Sequence, residues 1–485
     1  MSLRKVANVV GLLQVFLALF MATAGLVSLG YGEPAGVDIL VAALATFLVG
    51  GTVYRATTFQ GDVTTRESFA IVTLAWTATA VFGALPYLLT GAITSPVAAV
   101  FESMSGFTTT GATVFADIEA LSHGILFWRS LTHWLGGMGI IVLVIAVLPY
   151  LGVGGMQLFQ AEVPGPTPER LRPRITQTAK LLWLVYVGLT AIQSLLYMAG
   201  GMSLFDAVNH SFSTLATGGF STKNASMAAY PSPFIQWVTI VFMYLAGVNF
   251  ALHFRAASGR PLYWRDEEWR FFTLVVVGAA LLIAAMNLMS GTNASLEPAL
   301  RHALFQAVSI ITTTGFVSAD YELWVPGAQM TLLALFFVGG MAGSTSGGIK
   351  AVRVLLLLKQ TLNEIRKNLH PRAILLTRIG SKPVKEDVLA HIIGFVILYL
   401  LLCLVGAVVM GLMGADPLTA ISASIATVGN VGPGFGDVGA LDNYGWMSSP
   451  QLAVLSFLML VGRLEIFTVL VLFHRETWKA RRSYH

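Results

Sequence analysis

FTTTGATVF, residues 107–115, follows a short apolar segment and reads as a turn, yet it places three threonines and a glycine together in a strongly apolar chain. Related stretches recur at LATGGF (215–220), ITTTGF (311–316) and IATVGN (425–430). Four copies in one polypeptide need a structural reason, and that reason depends on the solvent around the chain.

Of 485 residues, 55% are hydrophobic and only 11% charged, where a soluble domain carries about 25% charged. The chain reads as an integral membrane protein. Apolar runs lie at 7–30, 38–54, 69–90, 125–149, 181–200, 234–254, 271–290, 328–358, 388–413 and 451–473. Most are long enough to cross a bilayer, which takes ~20 residues, and no stretch of soluble-domain length remains between them. The first run has no Ala-x-Ala site at its end and reads as a retained helix. Cys403, the lone cysteine, lies inside an apolar run and excludes a disulfide within one chain.

Lys and Arg accumulate in cytoplasmic loops, and ten crossings put both termini on one side. That side receives 25 of the 29 basic residues, including the loops around Arg170–Lys180, Arg255–Arg270 and Lys350–Lys385. Lys223 and Arg301 fall opposite, and Arg129 and Arg463 sit within apolar spans. All four threonine-glycine stretches therefore lie toward the outside. The net charge of +5 follows from topology and gives no support to nucleic-acid binding.

Aligning the copies on Gly111, Gly219, Gly315 and Gly429 places Ser105, Ser213, Ser309 and Ala423 six residues upstream. Before each glycine runs an apolar segment, at 96–107, 204–215, 299–311 and 417–426, too short to span. These read as re-entrant half-helices. Irregular backbone at membrane depth is tolerated only where it is buried in protein or lines a cavity. The expected fold is all-α, with four parallel repeats of helix, half-helix, loop and helix around a pseudo-fourfold axis and two extra N-terminal helices. The divisions are 1–66 for the extra pair, then 67–155, 156–256, 257–370 and 371–485. A second glycine follows each loop, in LGGM, LAGV, VGGM and LVGR, inside a span where small residues permit close helix packing.

A pore that strips a monovalent cation of water needs rings of oxygens at several levels. Carbonyls aimed the same way demand positive φ, which glycine reaches without steric cost, and threonine adds a hydroxyl. Half-helix C-termini aimed at the axis favour a cation there. The bland alternative, four polar turns, leaves the preceding half-helices unexplained.

Two features suggest control. GGMAGSTSGG (339–348) interrupts the run 328–358 with five glycines in ten residues, a poor helix that should unwind at mid-membrane or else kink for packing. Arg463 lies about twelve residues into its span, roughly 18 Å at 1.5 Å per residue, where a charge is expensive and usually faces a wet interior. It is expected to face the cavity below the four loops and raise the barrier to cations; a salt bridge to another helix is the alternative. Glu465 is a poor partner for it within the helix. Glu102, Asp206, His302 and Asp416 lie near the half-helices, where they either gather cations or cap and pack helices.

The four loops, together with THWLGGMGI (132–140), GGMAGSTSGGIK (339–350) and GRLEIFTVLVLF (462–473), resemble the TrkH proteins of bacterial potassium uptake systems over essentially the whole chain. The resemblance implies K+ as the permeating ion, no other cofactor, a homodimer with one pore per subunit in the bacterial inner membrane, and a cytosolic nucleotide-binding ring, TrkA. Carried over, the filter is Thr109, Thr110 and Gly111; Thr217, Gly218 and Gly219; Thr313, Thr314 and Gly315; and Thr427, Val428 and Gly429. In plant relatives a serine at the first glycine accompanies Na+ selectivity, so Gly111 argues for K+. With one shared glycine per loop, discrimination against Rb+ and Na+ should be weaker than in K+ channels. The resemblance makes the loop from Gly343, Ser344, Thr345, Ser346, Gly347 and Gly348 to Lys350 the gate, although Lys350 equally suits a helix anchor, and the family carries an arginine at the place of Arg463. The basic loops 156–180, 255–270 and 350–385 are candidate docking surfaces for the ring.

Other classes fit less well. A proton- or sodium-coupled symporter also uses broken helices, but its repeats are usually two and inverted. An intramembrane enzyme lacks HExxH, a Cys–His pair or a G-x-G-x-x-G fingerprint, and GSTSG carries Thr345 where a hydrolase elbow needs serine.

Overall fold

The computed structural model describes residues 2–58, 63–139, 175–260, 262–293, 295–373 and 375–478. Most of the basic loop 156–180 and the end of the run 125–149 lie outside these. Among the described residues the architecture is helical apart from a hairpin pairing Arg378–Ile379 with Lys382–Pro383. Six helices among the described residues are long and apolar enough to span: Leu3–Gly30, Ala35–Ala56, Arg66–Leu89, Ala179–Ala199, Glu267–Met289 and Glu386–Leu412. Their lipid-facing sides expose Leu184, Leu195, Leu274 and Leu404, as expected where the surroundings are as apolar as the core.

The four half-helices form where the apolar segments predict them, at Pro96–Phe107, Leu204–Leu215, Leu296–Ile311 and Pro417–Val428. Polar side chains start three of them: Ser95 accepts from the Ala98 N–H, Ser203 from Asp206, and Asp416 from Leu418 and Thr419. Such caps satisfy N–H groups that a helix start leaves open.

The spans that follow differ from the sequence expectation of full crossings. After Gly247 the chain bends by 104° into Phe250–Ala257, and after Arg463 it bends by 116° into Phe467–Phe473. Pro326–Leu335 gives way to a long loop before Ala351–Leu369 begins. In two of the repeats a glycine of the following span approaches the half-helix end closely. A Cβ added at Gly136 would stand 1.9 Å from the Phe107 carbonyl oxygen, and one at Gly462 would stand 2.0 Å from that of Val428. Both half-helices end at those carbonyls. This equivalence pairs Gly136 with Gly462, so the counterpart of Arg463 in the first repeat is Gly137.

Outside the spans, Glu33 ties the N-terminal helix pair to the helix starting at His123. Its carboxylate accepts from the His123 backbone N–H at 2.9 Å and from the Ser28 hydroxyl at 2.8 Å, and lies 2.7 Å from the His123 ring nitrogen. Partial burial pushes the carboxyl up, but these bonds outweigh it and hold it below the ordinary 4.5. A depressed carboxylate contributes stability that is complete above its unfolded value and lost as pH falls through the folded one. The gap in melting temperature between wild type and Glu33→Gln should therefore close as pH is lowered below about 4.5.

Candidate functional site

Each half-helix delivers the chain into a loop of one shape. Thr109, Thr217, Thr313 and Asn430 take φ of 54°, 54°, 58° and 55°, and two residues on Gly111, Gly219, Gly315 and Gly432 take φ of 81°, 84°, 75° and 94°. Positive φ strains a β-branched residue, and three threonines sharing it point to a functional constraint. The residue between them donates its N–H back into the half-helix: Thr110 to Ser105 at 2.9 Å, Gly218 to Ser213, Thr314 to Ser309 and Val431 to Ala426, each at 2.8 Å.

This geometry corrects the fourth loop. Thr427 and Val428 belong to the last turn of their half-helix, and Gly429 is right-handed at φ −76°. The loop positions are Asn430, Val431 and Gly432. Aligning on a Thr-x-Gly triplet shifted the register by three, because IATVGNVG contains two x-V-G triplets and the half-helix continues through the first. Asparagine at the strained position was the available signal, since it tolerates left-handed backbone better than threonine.

The loops close on one another in sequence order. An ideal Cβ at Gly111 would lie 2.1 Å from the Gly218 carbonyl oxygen, at Gly219 2.1 Å from Thr314, at Gly315 2.2 Å from Val431, and at Gly432 2.4 Å from Thr110. Every glycine thus abuts a carbonyl of the next loop, and the fourth returns to the first. Only glycine fits such a ring.

Cavities lie on both sides of the ring. One of about 110 Å³ is lined by Gly111, Gly219, Gly315, Pro433, Arg129 and Tyr444. The other, about 140 Å³, is lined by Gly136, Phe250, Gly347, Lys350, Gly462 and Arg463, with Gly343, Ser344, Thr345, Ser346 and Gly348 around it. The interrupted segment 336–350 sits directly against the ring. The Gly347 N–H donates to Thr313 Oγ1 at 2.7 Å and Thr345 Oγ1 donates to the Leu215 carbonyl at 2.9 Å. A Cβ at Gly347 would meet the Gly429 carbonyl at 2.7 Å.

Arg463 is half-buried and bridges this segment to the first repeat. It donates to the Thr345 carbonyl at 2.9 Å and to the carbonyls of Gly136 and Gly137 at 3.0 and 3.4 Å. Glu465 pairs instead with Arg353. Lys350 is buried and donates to the Ser346 carbonyl, closing a turn within the loop. Sequence reasoning missed Glu268, whose carboxylate accepts from the N–H groups of Ala342 and Val352 at 2.7 and 3.1 Å and so holds both ends of the loop.

The acidic and histidine residues near the half-helices brace the loops. Glu102 is wholly buried and pairs with Arg129 at 2.9 Å. Asp206 accepts from Thr222 at 2.6 Å, and His302 Nδ1 lies 3.0 Å from Ser318 Oγ. Asp416 is a helix cap.

Four re-entrant half-helices around a closed ring of strained loops, with a cavity on either side, define the fold class of a multi-span membrane transporter. The chain belongs to the TrkH family: the family profile described as "Cation transport protein" matches residues 37–480. It is 42% identical over 484 residues to the Trk system potassium uptake protein TrkH of Halomonas elongata, covering 99% of this chain and 100% of that protein. The same-named protein of Escherichia coli strain K12 is 40% identical over equal coverage. The crystal structure of the potassium transporter TrkH from Vibrio parahaemolyticus matches with a TM-score of 0.89 and 38% identity, covering 99% of this chain and 100% of that one. The family transports ions and is not enzymatic.

Proposed function

We propose that this chain takes up K+ across the bacterial inner membrane, with both termini cytoplasmic, and that the filter is Thr109–Gly111, Thr217–Gly219, Thr313–Gly315 and Asn430–Gly432. The observation that carries the reading is the closed ring, in which four loops from four repeats meet glycine to carbonyl in sequence order. Backbone carbonyls and the threonine hydroxyls supply neutral oxygens for a dehydrated monovalent cation. Segment 343–350 is the gate, and Arg463 places a positive charge beneath the ring. A homodimer, with a cytosolic TrkA-type nucleotide-binding ring docked on the basic loops, completes the system; the relatives named above are Trk system proteins.

Proteoliposomes containing this chain alone, with voltage set by an ionophore, test the reading. Flux following the K+ gradient without proton movement supports a pore. Flux that needs a pH gradient makes the loops part of a coupled symporter, and absent K+ flux overturns the proposal.

The same assay tests Arg463. A positive charge roughly 8 Å from a cation at an effective dielectric of ~20 raises its energy by about 2 kcal/mol, and each ~1.4 kcal/mol is tenfold in rate. Arg463→Ala should raise K+ flux about tenfold or more; unchanged flux removes Arg463 from the barrier.

A further inference from the structure

We infer that His133 is a specificity-determining residue that stands in for side chains missing from the second filter loop. The inference rests on the reading of the four loops as a K+ pathway.

The loops share a backbone but differ in what supports it. In the first, the Thr108 and Thr110 hydroxyls lie 2.8 Å apart, and Thr108 donates to the Met104 carbonyl at 2.6 Å. In the third, Thr312 and Thr314 repeat this at 2.8 Å, with Thr312 donating to Val308 at 2.7 Å. Each threonine pair ties its loop to its half-helix. The fourth loop has Gly429 and Val431 at these places, and is held instead by the Asn430 carboxamide, which donates to Thr110 Oγ1 and the Met459 carbonyl, both at 3.0 Å. The second loop has Ala216 and Gly218, with no hydroxyl at either.

His133 occupies the vacated space. A Cβ built on Gly218 would lie 2.5 Å from both Cγ and Cδ2 of the imidazole, so the ring stands where Thr110, Thr314 and Val431 carry their side chains. The ring is wholly buried. Its Nδ1–H donates to the Gly106 carbonyl of the first half-helix at 2.7 Å, and its face stacks on Phe220, next after Gly219, with centroids 4.0 Å apart. The histidine therefore fixes the second loop from behind, against the neighbouring repeat, where the first and third loops are fixed from within. Its counterpart in the fourth repeat, three residues before Gly462 as His133 is before Gly136, is Met459, and that residue's carbonyl holds Asn430. The same helix position thus supports the two loops that lack a threonine pair.

One way a filter discriminates K+ from Na+ is to keep its oxygens from closing onto the smaller ion. Loosening one loop of four should lower selectivity more than flux. The experiment measures K+ and Na+ flux separately in proteoliposomes of the full chain. His133→Ala is expected to lower the K+/Na+ flux ratio about five- to tenfold while K+ flux persists. Adding Ala216→Thr and Gly218→Thr to His133→Ala supplies the missing pair in the emptied space and should recover most of the ratio. The same two threonines with His133 present should lower it, because Gly218 has no room for a Cβ. A purely structural role would lower folded protein and both fluxes together, leaving the ratio fixed. An unchanged ratio in His133→Ala, or no recovery with the threonine pair in a monodisperse protein, overturns the inference. If His133→Ala does not fold, His133→Gln keeps an N–H for Gly106 without the ring, and a wild-type ratio in that variant overturns it equally. Wild-type protein without K+-selective flux would remove the pore reading itself and this inference with it.

Discussion

Alanine at Gly432 should abolish K+-selective flux, while alanine at Gly429, only three residues earlier, should leave most of it. The two positions differ in backbone and surroundings. Gly432 holds φ +94°, and a Cβ there would lie 2.4 Å from the Thr110 carbonyl oxygen and 3.0 Å from the Gly111 carbonyl carbon. Both obstacles are backbone of the adjacent loop, which is itself locked by the next glycine contact in the ring. Left-handed backbone costs a side-chain-bearing residue about 1–2 kcal/mol, and moving a strained loop of this kind adds ~1–3 kcal/mol. At ~1.4 kcal/mol per decade, the loss reaches at least roughly tenfold before any change in ion coordination is counted. Gly429 is right-handed, and its nearest obstacles are the Ile425 carbonyl of its own half-helix at 2.9 Å and the Tyr399 hydroxyl at 3.1 Å, neither of them backbone of another loop. Measured K+ and Na+ fluxes of the two variants decide the register: loss at Gly429 with a normal Gly432→Ala would return the filter to Thr427–Gly429.

The contrast between these glycines also shows what the sequence could reveal. Half-helices were legible because length separates them from spans: 12 or 16 residues cannot cross a bilayer that needs ~20. The first three loops were legible because their Thr-x-Gly triplets begin where the half-helix stops. The fourth was misread because position along the chain says nothing about the residue at which a helix unwinds, and Val428 is compatible with either state. Breaks after Gly247 and Arg463 were illegible for a different reason. Apolar runs 234–254 and 451–473 are continuous in hydropathy, and the bends lie where the spans meet half-helix ends contributed by other parts of the chain. Only the segment 336–350 announced itself, through its glycines.

Side-chain partners across repeats were the least legible. Arg463 could be placed at mid-membrane by counting, but its acceptors at Thr345, Gly136 and Gly137 are more than a hundred residues away. Glu268 reads as the acidic first turn of a helix, which the dipole favours, and nothing local shows that it holds Ala342 and Val352. His133 reads as one polar residue in THWLGG, and its role emerges only beside Gly218.

Replacing Arg129 with methionine should cost more stability than any other single ion-pair deletion among the described residues. Arg129 and Glu102 are 1% and 0% exposed as side chains, the most buried ion pair among the described residues. Nε donates to Glu102 at 2.9 Å, one terminal nitrogen donates to the Ser221 carbonyl at 3.2 Å, and the other to Thr113 Oγ1 at 3.2 Å. The guanidinium also lies 4.2 Å over the Phe220 ring. Thr113 and Ser221 each stand two residues beyond a ring glycine, so this one side chain braces the first two loops against each other. Methionine restores the volume but leaves the Glu102 carboxylate buried without its cation, a loss of about 3–5 kcal/mol. Arg129→Lys keeps the charge but not the planar fork that reaches three acceptors at once, and should recover less than half of the loss. Arg129→Met combined with Glu102→Leu removes both charges, yet recovery should stop short of wild type. Glu102 also accepts from the Val114 N–H at 2.9 Å and the Thr113 hydroxyl at 3.0 Å, and these half-buried donors lose their partner in the double variant, at ~1 kcal/mol each. Melting in detergent should rank wild type above the double variant, the double above lysine, and lysine above methionine alone. A methionine variant as stable as wild type would show that the pair is dispensable and that the loops are held by their half-helices alone.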